Sequence, residues 1–414
     1  MWIRGAVCLL GLGLHFVPGL GRPADGSATL EPDAAPVDEG WPCPPLSAQR
    51  RSGMHKLQLP RWNAFVDGAG KLPSVSANQT IYHRNMVADA VAELHADLAA
   101  RGMHMNGLLI GACDGTHDEF VDFLRAHHDT AAMLVEPVPH NFEDLMATLV
   151  NNATWRPRGR LRPVRAAMHT ACTLEGATRD FTYMPREFET TDLLKEKFQH
   201  GKPHWIRRQI GSLSPGRVAH LKRRFAHVAK TEPVTCLSPN RLMQRYIDQQ
   251  ASLLRNLLES CAPQGRQQEG PMGASRALGP IVRRHLADLH VLKIDVEGQD
   301  YNIMRGFLDQ VLCPDCTVMS RGRLSNGEGS HNNANDRSNV SAPASFLFPG
   351  IHFRPLLIEY EEKIFVSESV REPGDTMTGK EKAESLKADL RAMGYRVFDM
   401  VSGDVVAMYK VESA

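Results

Sequence analysis

The sequence predicts an α/β fold built on a doubly wound, mostly parallel sheet with an antiparallel hairpin strand at its C-terminal end. Three observations predict it. From Gly107 to His169, short apolar runs alternate with helical periods in a βαβαβ order. At 290–307 the run HVLKIDVEGQDYNIMRGF repeats strand-then-helix and carries Asp295 and Glu297 at the end of the strand, the edge at which open α/β sheets bind ligands. Near the other end, Tyr395–Val401 and Val405–Tyr409 flank a short Ser-Gly-Asp loop, the pattern of a β-hairpin.

The chain opens with one Arg before an apolar run from Ala6 to about Leu20, and Gly19 and Gly21 are small residues placed for a cut after Gly21. This is the layout of a secretory signal peptide over 1–21, and it implies a luminal or secreted address. An organelle-targeting presequence is the alternative, and asks for more Arg and Ser. No later apolar run approaches the roughly 18 residues of a membrane span, so no stable span is expected after cleavage. Residues 22–75 are rich in Pro, Gly, Ala and charge without a sustained period, and read as a linker with little structure. The folded domain is placed at 76–412.

The 48 basic residues nearly balance the 47 acidic ones, for a net charge of +1. That removes any general electrostatic case for nucleic acid as a partner. Nothing in the sequence specifies an oligomeric state. Of eight cysteines one lies in the signal segment, leaving too few for a disulfide scaffold. Cys313-Pro-Asp-Cys316 suits a local disulfide. With no second CxxC and no His pair at zinc spacing, no metal site is expected. Sequons at Asn78, Asn152 and Asn339 fit a secretory route.

Taken in order, 85–101 is strongly helical, with Gly102 as its stop. Leu108–Ile110 reads as a buried strand, and Gly111-Ala112-Cys113-Asp114-Gly115 as a tight loop of small residues before a helix over 117–128. Small residues let the backbone approach a ligand, and a helix start offers free N–H groups. A second strand, Ala132–Val135, ends at Glu136-Pro137, about 20 residues past the glycine loop, where a carboxylate can bind ribose hydroxyls. A helix over 141–152 and a third strand, 162–169, complete the half-sheet. Between 172 and 284 the rhythm breaks. This insertion holds Asp180-Phe181, Gln209–Leu213, a strand-like Pro233–Leu237 and an amphipathic helix from Asn240 to about Ser260, and long insertions above a sheet edge often carry substrate contacts. A second insertion, 313–349, is rich in Ser, Gly and Asn. Arg354–Ile358 reads as another buried strand, ending at Glu359, and 379–393 as a helix stopped by Gly394.

The blocks LLIGACDGTHDEF, LVEPVPHNFEDL, VLKIDVEGQDYNIMRGF and PLLIEYE, in that order, resemble the FkbM family of class I S-adenosylmethionine-dependent methyltransferases. The resemblance spans about Gly107 to Tyr409, interrupted by the two insertions. It departs in the glycine loop, where Ala112-Cys113 replace the fuller G-x-G form. It implies a Rossmann-like seven-stranded class I methyltransferase sheet with an antiparallel last strand. It also implies S-adenosylmethionine as cofactor and O-methylation of a hydroxyl on a glycan or small metabolite. Carried over residue by residue, Gly111, Asp114 and Gly115 would line the methionine and ribose side, and Glu136 would bind the ribose. Ala167 and Met168 would face the adenine, with Asp295 and Glu297 toward the sulfonium and the acceptor.

Such a reaction asks mainly for alignment, which contributes about 7–11 kcal/mol in well-oriented systems. A carboxylate that takes the acceptor's proton adds roughly 10²–10⁴-fold. Asp295 is the first candidate base and Glu297 the second. Either could instead hold the acceptor or a divalent ion. Glu359, His204 and His290 are further candidates; Glu359 reads equally as a strand-end surface acid, and a lone His is more often structural than a base. Two other functions compete: a non-catalytic module that uses the fold to bind a glycan or protein partner, and a Rossmann-type enzyme using a dinucleotide.

Overall fold

Successive side chains of a strand bury against opposite faces, and the apolar residues of Met105–Ile110 (β1) obey that alternation. Leu108 and Ile110 join one core, Met105 and Leu109 the other. β1 is parallel to Thr130–Val135 (β2) on one side and to Val291–Ile294 (β8) on the other. β2 pairs with Leu161–Val164 (β3), and β8 with Leu357–Glu361 (β9), both in parallel. The hairpin strands Tyr395–Asp399 (β10) and Asp404–Tyr409 (β11) close the sheet, with β11 antiparallel to both β9 and β10. The sheet order is β10-β11-β9-β8-β1-β2-β3. This computed structural model describes residues 58–69, 79–116, 118–150, 160–186, 211–225, 229–260, 288–296, 298–312, 353–366, 374–400 and 402–411. The expected signal segment, the three sequons, the CxxC, His204 and Glu297 lie outside the described residues. Among the described residues no helix is long and apolar enough to cross a membrane.

Helices cover both faces of the sheet. One face packs against Pro60–Ala69 (α1), Gln79–Ala99 (α2), Glu119–Ala126 (α3) and Pro139–Leu145 (α4) through Trp62, Val66, Val91, Leu94, Phe120 and Leu145. The other packs against Pro239–Ser260 (α6), Asp300–Phe307 (α7) and Gly379–Ala392 (α9) through Met243, Tyr246, Ile303, Phe307 and Leu386. The sequence accounts for the helix boundaries. Asp118 accepts from the Val121 amide and starts α3. Thr378 and Glu381 form a capping box at α9. Gly102 and Gly394 take positive φ where α2 and α9 stop.

Four expectations are corrected. The segment expected to be linker up to residue 75 contains α1. Its Trp62 is fully buried and its indole donates to the Tyr409 carbonyl at 2.9 Å, and its apolar residues repeat too briefly for a period to stand out. The third strand divides at Arg165. Its second half, Ala167–Met168 (β4), leaves the main sheet and joins a smaller one with Thr178–Tyr183 (β5), Gly211–Ser212 (β6) and Lys230–Leu237 (β7), in the order β4-β7-β5-β6. The helix expected over 141–152 is α4, which starts at Pro139 and continues as a wider π turn over Met146–Val150. The strand expected at Arg354–Ile358 runs three residues later, so Glu359 lies inside β9, in register with Lys293. The insertion is also no mere decoration, because it supplies the core helix α6. A disulfide, Cys172–Cys236, ties the turn after β4 to β7.

Candidate functional site

The glycine loop connects β1 to α3 and lies against the end of β8. Gly111 has φ +89, and a Cβ there would stand 1.8 Å from the Asp295 carbonyl oxygen. Only glycine permits that approach. The Gly111 and Ala112 amides both donate to the Val135 carbonyl, at 2.9 and 3.0 Å, which binds the loop to the end of β2. Cys113 occupies the left-handed region at φ 51. Its amide points to Glu136 Oε2 at 2.8 Å, and the Val138 amide donates to Oε1 at 2.8 Å. Glu136 is thereby oriented by the backbone on both sides, and Asn141 adds a side-chain hydrogen bond. Burial pushes its carboxyl up to about 7, against these three donors.

Glu136, Gly111, Ala167, Met168 and Asp295 line one cleft of about 620 Å³, its open mouth included. They come from the ends of four separate strands. Asp114 and Gly115 stand behind this wall. The Asp114 carboxylate accepts from the Thr116 amide at 3.0 Å and hydroxyl at 2.6 Å. Gly115 packs on Leu145, where a Cβ would meet Leu145 Cδ1 at 2.8 Å. Both residues shape the loop rather than the cleft surface.

Asp295 is half-buried at the end of β8, its amide donating to the Ile110 carbonyl at 2.9 Å. Burial first, and then the like charge of Glu361, pushes its carboxyl up to about 7, while Lys293 pulls it down. Asp300 is fully buried one turn on and accepts from the Val296 and Gly298 amides at 3.3 and 3.2 Å. It thereby holds Val296 and Gly298, and Glu297 is outside the described residues. Burial and the neighbours Glu361 and Asp295 hold Asp300 well above the usual carboxylate range.

Cys113, Phe181 and Leu213 are among the residues of this cleft that were not singled out from the sequence as site residues. The Cys113 thiol lines it, and burial followed by Glu136 and Asp114 pushes the thiol well above its usual range. Phe181 and Leu213 also line it, from the smaller sheet. The signal for them was weak, since both fall in the stretch where the βα rhythm fails. Of the other candidates, His290 sits at the start of β8, where its Nδ1 accepts the Asn106 amide at 2.9 Å. That is the edge opposite the cleft, so it is a structural residue. Glu359 is buried beside Lys293 at 3.2 Å. Chemically the cleft offers an oriented carboxylate, an apolar slot and a carboxyl poised near neutrality. Comparison of the chain with known protein families, with characterised proteins and with solved structures gave no match.

Proposed function

We propose that the chain is an S-adenosylmethionine-dependent O-methyltransferase acting on a hydroxyl of a glycan or small metabolite. One observation carries the reading. A loop opened by Gly111, a backbone-oriented acid, an apolar slot and a raised carboxyl line a single cleft at the C-terminal ends of the main-sheet strands. The sheet order, with β11 antiparallel between β9 and β10, supports the class I methyltransferase form of the fold.

The residues fit the cofactor. A carboxylate has about four acceptor sites. Cys113, Val138 and Asn141 engage Glu136, which leaves acceptor capacity for a ribose hydroxyl. Val138, Ala167, Met168, Phe181 and Leu213 form an apolar slot suited to the faces of a flat aromatic base. When bound, S-adenosylmethionine supplies a methyl group on a cationic sulfur. Gly111 keeps the loop free of side chains beside Asp295, and the Asp295 carboxyl, near its midpoint at neutral pH, takes the proton of an acceptor hydroxyl. The Cys172–Cys236 disulfide supports an oxidising compartment, in line with a secretory address.

The test is calorimetric titration of the purified chain with S-adenosylmethionine, followed by mass spectrometry of a glycan and metabolite panel incubated with labelled cofactor. Binding plus label transfer is the expected result. Binding without transfer to any acceptor favours the non-catalytic module, and no binding overturns the reading.

A further inference from the structure

The opposite edge of the sheet gathers a second set of chemistry-bearing side chains. His127 ends α3, Asp129 lies in the turn into β2, and His95 reaches them from α2. At a strand rise of 3.3 Å per residue, the length of β2 separates them from the cleft by about 20 Å. His95 Nε2 lies 2.8 Å from both Asp129 carboxylate oxygens. The His95 and His127 ring centroids are 4.4 Å apart. Taking one ligand atom from each of the three residues, all lie within 4.8 Å of one another. Among the described residues this is the one group of His, Cys, Asp or Glu with that geometry.

We propose that His95, His127 and Asp129 form a binding site for a divalent transition-metal ion of the zinc class. Two imidazoles and one carboxylate are a borderline donor set. Magnesium and calcium prefer all-oxygen cages, whereas imidazole selects zinc and its neighbours. Metal–ligand bonds of about 2.0–2.2 Å place tetrahedral donors roughly 3.3–3.6 Å apart, so ligand atoms that already lie within 4.8 Å of one another have little further to close. All three residues are partly exposed, and an ion can enter from solvent. Three protein ligands leave a fourth position for water.

The backbone that carries the ligands is held from behind. The His127 carbonyl accepts from the Thr130 amide at 3.3 Å, the Thr130 hydroxyl at 2.6 Å and the buried Arg160 guanidinium at 3.3 Å. Arg160 also reaches the Leu124 carbonyl at 2.8 Å. His104 Nδ1 contacts the Asp129 carbonyl at 3.0 Å. Phe123 stacks on the His127 ring at 4.1 Å and meets His95 edge-on at 5.3 Å. Outer partners of this kind orient ligands in metal sites. A bound ion would staple α2 to the turn between α3 and β2. The sequence concealed the set because His95 comes from a different helix, at no spacing that marks a zinc motif.

The test uses the full chain, stripped with a chelator and titrated with zinc by calorimetry beside His127→Ala and Asp129→Asn. The Cys313–Cys316 pair offers thiolates of its own, so the readout is the difference between wild type and variants. The wild type takes up an additional zinc equivalent, and each variant loses roughly 100-fold or more of that affinity, beyond the 10–100-fold typical of outer partners. Zinc raises the melting temperature of the wild type and of neither variant. Cobalt substitution gives visible bands without a thiolate charge-transfer band. Should His127→Ala fail to fold, the near-isosteric Asp129→Asn decides. Equal uptake by wild type and Asp129→Asn overturns the proposal. So does zinc binding that disappears only with Cys313→Ser and Cys316→Ser.

Discussion

Lys293 and Glu359 face each other from neighbouring parallel strands, the ammonium 3.2 Å from the carboxylate and both side chains less than a tenth exposed. Asp118 and Glu119, at the start of α3, approach the same ammonium at 3.0 and 2.9 Å. Burial opposes the charge on Lys293, but Asp118, Glu359 and Glu119 together outweigh it and hold the ammonium well above the usual lysine range. One cation thus neutralises a helix start, a core strand and part of the field at Asp295. Lys293→Met leaves three acids facing one another, and a loss of roughly 3–5 kcal/mol is expected from breaking a buried pair. Urea denaturation measures it, and adding Glu359→Gln recovers part. Because Lys293 favours the charged form of Asp295, the same variant shifts the rise of activity to more alkaline pH.

Under the proposed function, Asp295→Asn is expected to lower methyl transfer by roughly 10²–10⁴-fold while cofactor affinity holds. The wild-type rate climbs with pH through about 7, the point to which the Asp295 carboxyl is raised. The stability consequence has a definite sign. A carboxyl raised in the folded state binds more protons folded than unfolded between its ordinary value and about 7. It therefore costs stability as pH rises through that window, and nothing below it. Relative to wild type, Asp295→Asn becomes progressively more stable from pH 5 to pH 8. A stability difference that stays flat over that range would show the carboxyl to be unshifted.

The same proposal expects Glu136→Ala to weaken S-adenosylmethionine binding by roughly 10–100-fold, the value of one charge-assisted hydrogen bond. Binding by the wild type tightens as pH climbs through about 7, because the raised carboxyl accepts best when ionised. Calorimetry at pH 6 and pH 8 checks both. A variant that binds as tightly as wild type removes Glu136 from the cofactor site.

The Cys172–Cys236 bridge closes a loop with a separation of 64 residues. Loop-closure entropy for that length gives a stabilisation of about 4 kcal/mol. Replacing both cysteines with alanine lowers the melting temperature and loosens the sheet that brings Phe181 and Leu213 to the cleft. Calorimetric scanning under non-reducing conditions reads the first effect, and cofactor affinity the second.

Local patterns were legible. The strand of Leu108 to Ile110, the turn at Gly111 and the stop of α9 at Gly394 all lie within a few residues of the sequence that causes them, as does the alternation that builds β10 and β11. Gly111, Glu136 and Asp295 could be assigned to one edge because each follows an apolar run, whereas Ala167 and Met168 came only with the family resemblance. What the sequence hid depends on distant partners. Glu359 looked like the end of a strand because an acid rarely lies inside a buried one, and Lys293 on the next strand supplies its counter-charge. The apolar alternation continues through Arg165, so nothing local marks where β3 hands over to the smaller sheet. Phe181 and Leu213 reach the cleft only after β5 and β6 pair. Trp62 stood in a Pro- and Gly-rich stretch, and its burial depends on Tyr409 and the helix residue Asp97, which accepts its amide at 2.9 Å.

That last latch bears on how the chain is made. Trp62 and Asn63 are fastened to Tyr409 and Val411, at separations of 347 and 348 residues. At a synthesis rate of roughly 5–20 residues per second, the first helix emerges some 20–70 s before its docking site exists. Its indole N–H spends that interval without the Tyr409 carbonyl that accepts from it. A ribosome stalled short of β11 would display that unfinished surface for as long as the pause lasts.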